Sequence, residues 1–154
     1  MDNNEIEQYL LKCPDLAGLD EATLSELFWR GTIQTLEAGT VVYAEGAPLD
    51  NTFGLLISGD LIIERGGVIL GGIFEHQAFG EMAYFNHQHT RTATIRVGSP
   101  VAVIVKIKMT AEELSSEKFL GLSKCLALHT WQKFVHTAQN EAGGVSVPHR
   151  PISA

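Results

Sequence analysis

Phe79-Gly80-Glu81-Met82-Ala83-Tyr84-Phe85-Asn86-His87-Gln88-His89-Thr90-Arg91-Thr92-Ala93-Thr94 lies between β-like runs, yet it does not alternate as a strand does. It sets an acid, Glu81, and a base, Arg91, ten residues apart, with Gly80 before the acid and small residues after the base. What stands on either side of it decides the fold.

Working outward, Thr40–Tyr43, Phe53–Ile57, Leu61–Glu64, Val68–Leu70, Thr92–Val97 and Val101–Val105 are short runs rich in β-branched and aliphatic residues. Turn signals separate them: Gly46-Ala47-Pro48, Ser58-Gly59-Asp60, Gly66-Gly67 and Gly98-Ser99-Pro100. Such spacing predicts an antiparallel sandwich, barrel or jelly roll over 32–107. Outside it the period changes. Ile6, Tyr9, Leu10 and Cys13 recur at helical spacing until Pro14 interrupts, and Asp20 is placed to cap a second helix carrying Leu24, Leu27 and Phe28. Thr110-Ala111-Glu112-Glu113 has the capping-box pattern, and Phe119, Leu122, Leu126, Leu128, Trp131 and Val135 form two adjacent helical stripes. The expectation is a mainly β fold with flanking helices: helices over 5–30, an antiparallel β-roll over 32–107 and C-terminal helices over 110–140. Together they make one domain over 1–144, with a flexible tail over 145–154.

Composition narrows the classes of function. The 154 residues, 45% hydrophobic and 19% charged, suffice for one cored domain. A net charge of −7 argues against a broad phosphate-backbone footprint without excluding one small anion. The first residues lack the basic and apolar regions of a signal peptide, and no apolar run approaches a membrane span, so a cytoplasmic protein with no membrane contact is expected. Cys13 and Cys125 read as buried or half-buried thiols, although sequence alone leaves a disulfide open.

The chemistry of residues 80–94 suits a ligand that carries a phosphate monoanion and a free ribose hydroxyl. Arginine offers a planar fork that matches two phosphate oxygens. A short helix starting near Gly80 would aim backbone N–H groups at the same anion, and glycine lets the backbone approach closely. Glu81 can accept from a hydroxyl, and Thr92 adds a donor beside Arg91. Taken without that context, Glu81 and Arg91 fit a structural ion pair equally well.

This stretch resembles the phosphate-binding cassette of the cyclic nucleotide-binding domain family, the domains of catabolite activator protein, the protein kinase A regulatory subunit and cyclic nucleotide-gated channels. The resemblance rests on Phe79-Gly80-Glu81-Met82-Ala83, on Arg91-Thr92-Ala93-Thr94, and on a glycine framework that includes Gly39, Gly46 and Leu55-Leu56-Ile57-Ser58-Gly59. It covers about residues 20–140. It implies a non-enzymatic module that binds cAMP or cGMP, with cAMP favoured, and needs no cofactor. Glu81 would hold the ribose 2′-hydroxyl, and Arg91 the exocyclic phosphate oxygens. Backbone groups of Gly80, Met82 and Ala83, with Thr92 and Ala93, would complete the site. Trp131, Phe134 and Val135 would fall on a C-terminal lid helix that closes over the base and moves on binding. In one place the pattern departs: where the family has a turn glycine and Asp before Phe-Gly-Glu, this chain has His76-Gln77-Ala78.

Competing readings are a β-roll interaction domain that no longer binds nucleotide and a cupin-like metal protein. His87 and His89 form a His-x-His pair, but Thr90, Arg91, Thr92, Ala93 and Thr94 follow it, where a metal site would need a carboxylate. Exposed loop histidines are the plainer reading. No Gly-x-Ser-x-Gly, His-Glu-x-x-His or P-loop pattern occurs, which argues against an enzyme. The acidic charge and a short proline-containing tail after Gly144 lead us to expect no direct DNA binding. The stripe on the last helix allows a homodimer or an unknown protein partner.

Overall fold

The computed structural model describes residues 8–130. Residues 8–11 are helical (α1), and Pro14–Leu16 form a 3-10 turn with proline at its start, where the missing N–H is no loss. Helix α2, Glu21–Trp29, begins as its sequence predicts: the Asp20 carboxylate accepts from the Thr23 N–H at 2.7 Å. Eight strands follow: β1 Gly31–Glu37, β2 Val41–Tyr43, β3 Thr52–Ser58, β4 Leu61–Arg65, β5 Val68–Ile73, β6 Ala78–Phe79, β7 Thr94–Val97 and β8 Val101–Lys108. Helix α3, Met82–Phe85, interrupts them between β6 and β7. After β8 come α4, Ala111–Leu114, a 3-10 turn at Glu117–Phe119, and a helix over 120–130, α5.

The strands form two four-stranded antiparallel sheets, ordered β1-β8-β3-β6 and β2-β7-β4-β5. This is the expected β-roll with flanking helices. The first sheet is covered on both faces. Phe53 and Leu55 of β3, with Val105 and Ile107 of β8, pack on the helices beside Leu10, Leu27, Leu122 and Leu126. Their neighbours Leu56, Ala102 and Ile104 turn the other way, to meet Leu61, Ile73, Ile95 and Val97 of the second sheet. Alternation puts successive residues on opposite faces, so a strand buried on both sides reads as a continuous apolar run. The second sheet covers only one face, and Val41, Val68 and Ile69 remain exposed on it.

Two strands escape the sequence pattern. β1 carries apolar side chains only at Ile33 and Leu36, a spacing of three. Its strand state comes from full register with β8, from Gly31 opposite Ile107 to Glu37 opposite Val101. β6 is two residues long, held by Gly54 and Leu55 of β3. The predicted Thr92–Val97 run forms its ladder only from Thr94, so Arg91, Thr92 and Ala93 stand outside the strand in a bend. Cys13 and Cys125 are both free thiols, buried and half-buried.

The capping box at α4 is complete: the Thr110 hydroxyl accepts from the Glu113 N–H, and the Glu113 carboxylate accepts from the Thr110 N–H, both at 3.0 Å. Glu113 also pairs with Arg30 at the end of α2, at 2.7 Å. The Arg30 hydrogen bond, then the Thr110 N–H, hold its carboxyl down to about 2 from an ordinary 4.5. A carboxyl lowered in the folded state contributes stability that is present above 4.5 and lost as pH falls toward 2. Glu113→Gln is therefore expected to flatten the acid-side loss of stability in that window, read from melts at stepped pH.

Gly54 lies on the inter-sheet face of β3, where an added Cβ would enter the Phe79 ring. Gly54→Ala is expected to lower stability by about 1–3 kcal/mol in denaturant titration through overpacking. A variant as stable as the parent would contradict the packing of β3 on β6.

Candidate functional site

Four segments converge on one cleft. β2 delivers Tyr43, the loop before β3 delivers Asp50, the turn after β6 delivers Gly80, and the bend before β7 delivers Arg91, Thr92 and Ala93. The bend is fixed through its backbone: the Arg91 N–H donates to the Ala47 carbonyl and the Gly46 N–H to the Arg91 carbonyl, both at 2.8 Å. Asn86 closes the preceding loop, its side-chain oxygen accepting from the N–H groups of Gln88 and Thr90 at 3.0 and 3.2 Å. His87 and His89 ride on that loop, exposed, with His89 at φ 50. Among the described residues no group of three or more metal-ligating side chains assembles.

Arg91 is only 4% exposed, and its charge is met from three sides. Nη1 donates to the Gly80 carbonyl at 2.8 Å, and Nη2 donates to Asp50 Oδ1 at 2.6 Å and to the Thr52 carbonyl at 2.8 Å. The guanidinium carbon sits 3.5 Å from the centre of the Tyr43 ring. Asp50 is itself anchored, because it also accepts from the Thr52 hydroxyl at 2.7 Å. Burial pushes the Asp50 carboxyl up, but the Thr52 hydrogen bond and the Arg91 charge together outweigh it and hold the group below its usual range. Burial pushes the Tyr43 phenol up to about 12, so the ring stays neutral, with its hydroxyl 2.8 Å from Thr52 Oγ1.

Gly80 makes this stack possible. It sits at φ +77, and a Cβ there would lie 2.5 Å from Tyr43 Cε2 and 3.1 Å from Arg91 Nη1. The chain then enters α3, a single turn. The departure at His76 is resolved in the backbone: it adopts φ 70, the glycine-favouring region, and its N–H donates to the Leu56 carbonyl at 2.8 Å and lies 3.0 Å from the Tyr9 hydroxyl.

The cleft is lined by Tyr43, Ile63, Gly80, Met82, Ala83, Arg91, Thr92, Ala93 and Ile95. Six of the seven residues picked from the sequence as ligand-binding thus share one wall. The Thr92 hydroxyl points across it to Met82 Sδ at 3.9 Å. Glu81 is placed differently. It is fully buried and does not line the cleft; its Oε1 faces α5, 3.4 Å from the Thr130 hydroxyl and 3.8 Å from His129 Nε2. Trp131, Phe134 and Val135 lie outside the described residues. Sequence reasoning missed Tyr43 and Asp50. The only signal for Asp50 was an acid in a turn-rich segment ahead of an apolar strand, and Tyr43 closed a run read as an ordinary strand.

A β-roll carrying a buried arginine, a glycine turn and one helical turn around a small cleft is the arrangement that the sequence resemblance implies. The family model for the cyclic nucleotide-binding domain matches residues 33–122, more than half of the chain, and the protein belongs to that family. Solved structures with the same fold include cAMP-bound PfPKA-R (141–441), at 20% identity and TM-score 0.73, covering 92% of this chain and 47% of that one. A PKAR CBD2 bound to Sp-2Cl-cAMPS has 16% identity and TM-score 0.72, covering 95% of this chain and 94% of that one. A putative cyclic nucleotide-binding protein from Geobacter metallireducens GS-15 has 15% identity and TM-score 0.64, covering 93% and 97%. Against the first of these, the chain spans about half of the relative's length. No curated protein sequence matches.

Because its guanidinium ties the glycine turn to the loop before β3, Arg91 is a structural strut as well as a ligand candidate. Arg91→Lys keeps the charge but cannot hold three acceptors in one plane. It is expected to lower stability by about 2 kcal/mol, measured by denaturant titration without ligand. An unchanged midpoint would show that these contacts contribute nothing to the fold.

Proposed function

We propose that the protein is a non-enzymatic receiver for a cyclic nucleotide, with cAMP preferred over cGMP, and that binding is passed on through its C-terminal helix. The observation that carries the reading is the cleft wall itself. Gly80, Met82, Ala83, Arg91, Thr92 and Ala93 are gathered within it from the two ends of a single segment. On this reading the phosphate lies against Arg91 and the first turn of α3, and the base lies toward the apolar side, near Ile63 and Ile95. Arg91 is already oriented by Asp50 and Tyr43, so little ordering cost falls on the binding step. Among the described residues its Nε–H and second Nη1–H have no protein acceptor, which suits a nearby phosphate.

The preference for cAMP is supported by relatives described with cAMP or Sp-2Cl-cAMPS bound. The output role of the last helix is supported by contact between α5 and Glu81, and by Leu120 and Leu128, exposed on one face of α5 and open to a second copy or a protein partner. A ligand can shift that helix only by binding one arrangement better than another. The reading also includes a cytoplasmic setting and no direct contact with DNA; among the described residues no helix is long and apolar enough to cross a membrane.

Calorimetric titration with cAMP, cGMP and a cyclic dinucleotide tests the proposal. We expect saturable binding of cAMP, weaker binding of cGMP, and a raised melting temperature with ligand. Thr92 is half-buried on the cleft wall, so Thr92→Glu sets a carboxylate beside the phosphate and is expected to abolish binding while leaving the ligand-free melt within about 0.5 kcal/mol of the parent. Thr92→Ala should weaken binding only modestly. Wild-type affinity in Thr92→Glu would place the site elsewhere. No melting shift with any nucleotide would leave the interaction-domain reading.

A further inference from the structure

Glu81 is the cassette residue that the structure turns away from the cleft, and what faces it is a buried histidine. His129, near the end of the described part of α5, is 2% exposed. Its Nδ1 lies 3.1 Å from Asp15 Oδ1, and its Nε2 lies 2.9 Å from the Ala78 carbonyl and 3.8 Å from Glu81 Oε1. Both ring nitrogens therefore face acceptors. A neutral imidazole has one N–H and one lone pair, so either tautomer would point a lone pair at an oxygen. Only the imidazolium donates on both sides.

We propose that protonated His129 is a positioning residue for Glu81: it latches α5 onto the start of the cassette and holds the Glu81 carboxylate away from the cleft, so that losing one proton favours nucleotide binding. This rests on reading residues 80–94 as the nucleotide site. The latch joins three elements. The 3-10 turn supplies Asp15, whose Oδ2 also accepts from the Ala78 N–H at 2.9 Å. The end of β6 supplies the Ala78 carbonyl, and the entry to α3 supplies Glu81. On α5 itself, Thr130 donates to Glu81, and Cys125 stands one turn back, its thiol raised by burial and by Asp15. Among the described residues Asp15 and Glu81 are the carboxylates that face the ring.

The direction follows from the charges. At low pH the imidazolium donates to Asp15 and to the Ala78 carbonyl and sets its charge 3.8 Å from Glu81, and the latch holds. When the ring loses a proton, one acceptor loses its donor and Glu81 loses the charge that faces it, which favours its turning toward a ribose hydroxyl. Nucleotide affinity is expected to increase by about tenfold between pH 6 and pH 8, an ordinary size for coupling between sites. His129→Gln should bind at pH 6 as the parent binds at pH 8, with the dependence flattened. His87 and His89 are exposed and the same in both proteins, so the difference isolates His129. Asp15→Asn, which keeps an oxygen for the Ala78 N–H, should shift the curve the same way.

A second measurement needs no nucleotide. Hydrogen exchange of the amides over 126–130 should show protection at pH 6 that declines at pH 8 beyond the intrinsic rate change, and the decline should vanish in Asp15→Asn. Equal pH dependence of affinity in the parent and His129→Gln would overturn the latch, as would exchange protection of α5 that ignores pH. If no cyclic nucleotide binds at either pH, the site reading fails, and the exchange experiment alone decides whether the latch exists.

Discussion

The buried guanidinium of Arg91 is the interaction on which the site depends. It collects the Gly80 and Thr52 carbonyls and the Asp50 carboxylate, and it lies flat on Tyr43. A buried charge is tolerated only when paired and hydrogen-bonded, so the three acceptors are a condition of the residue's burial. In satisfying it the fold joins β2, the loop before β3, the glycine turn after β6 and the bend before β7. The same arrangement fixes the orientation of the group best suited to meet a phosphate.

Much of this was legible in residue types, and the remainder was not for identifiable reasons. Strands with strong apolar runs, the Asp20 and Thr110 caps, and the Gly80–Arg91 segment all announce themselves locally. β1 does not, because an edge strand with only two apolar side chains takes its state from β8. Tyr43 and Asp50 lie in a segment well before Arg91 in sequence, and only the roll brings them to it. The orientation of Glu81 was hidden for a similar reason, since it faces His129 and Thr130 on a distant helix. Chemistry-bearing residues were readable one at a time; the partners that aim them were not.

The entry to the cassette shows how a locally unfavourable choice is kept. His76 stands at φ 70 where a glycine would be relaxed. Its N–H lies close to two acceptors at once, and one of them, the Tyr9 hydroxyl, also donates to the Leu56 carbonyl. The Tyr9 and His76 rings lie 4.9 Å apart. Helix α1, β3 and the cassette entry thus meet at a single point, where the N-terminal helical layer touches the segment that leads into Gly80.

The pairing of β1 with β8 has a consequence for how the chain acquires this structure. Residues 31–37 must find residues 101–107, and β8 is also the central partner of β3. On a ribosome the first sheet lacks its middle strand until most of the chain has emerged, leaving Phe53, Leu55 and Leu56 without their cover. Loop closure over such a separation is slow compared with local helix formation. The helices and the β4-β5 hairpin can form early, while β1 and β3 wait for β8, and β3 is in turn the partner of β6, which leads into the cassette. The sheet that carries the entry to the cassette is thus among the last features to be completed.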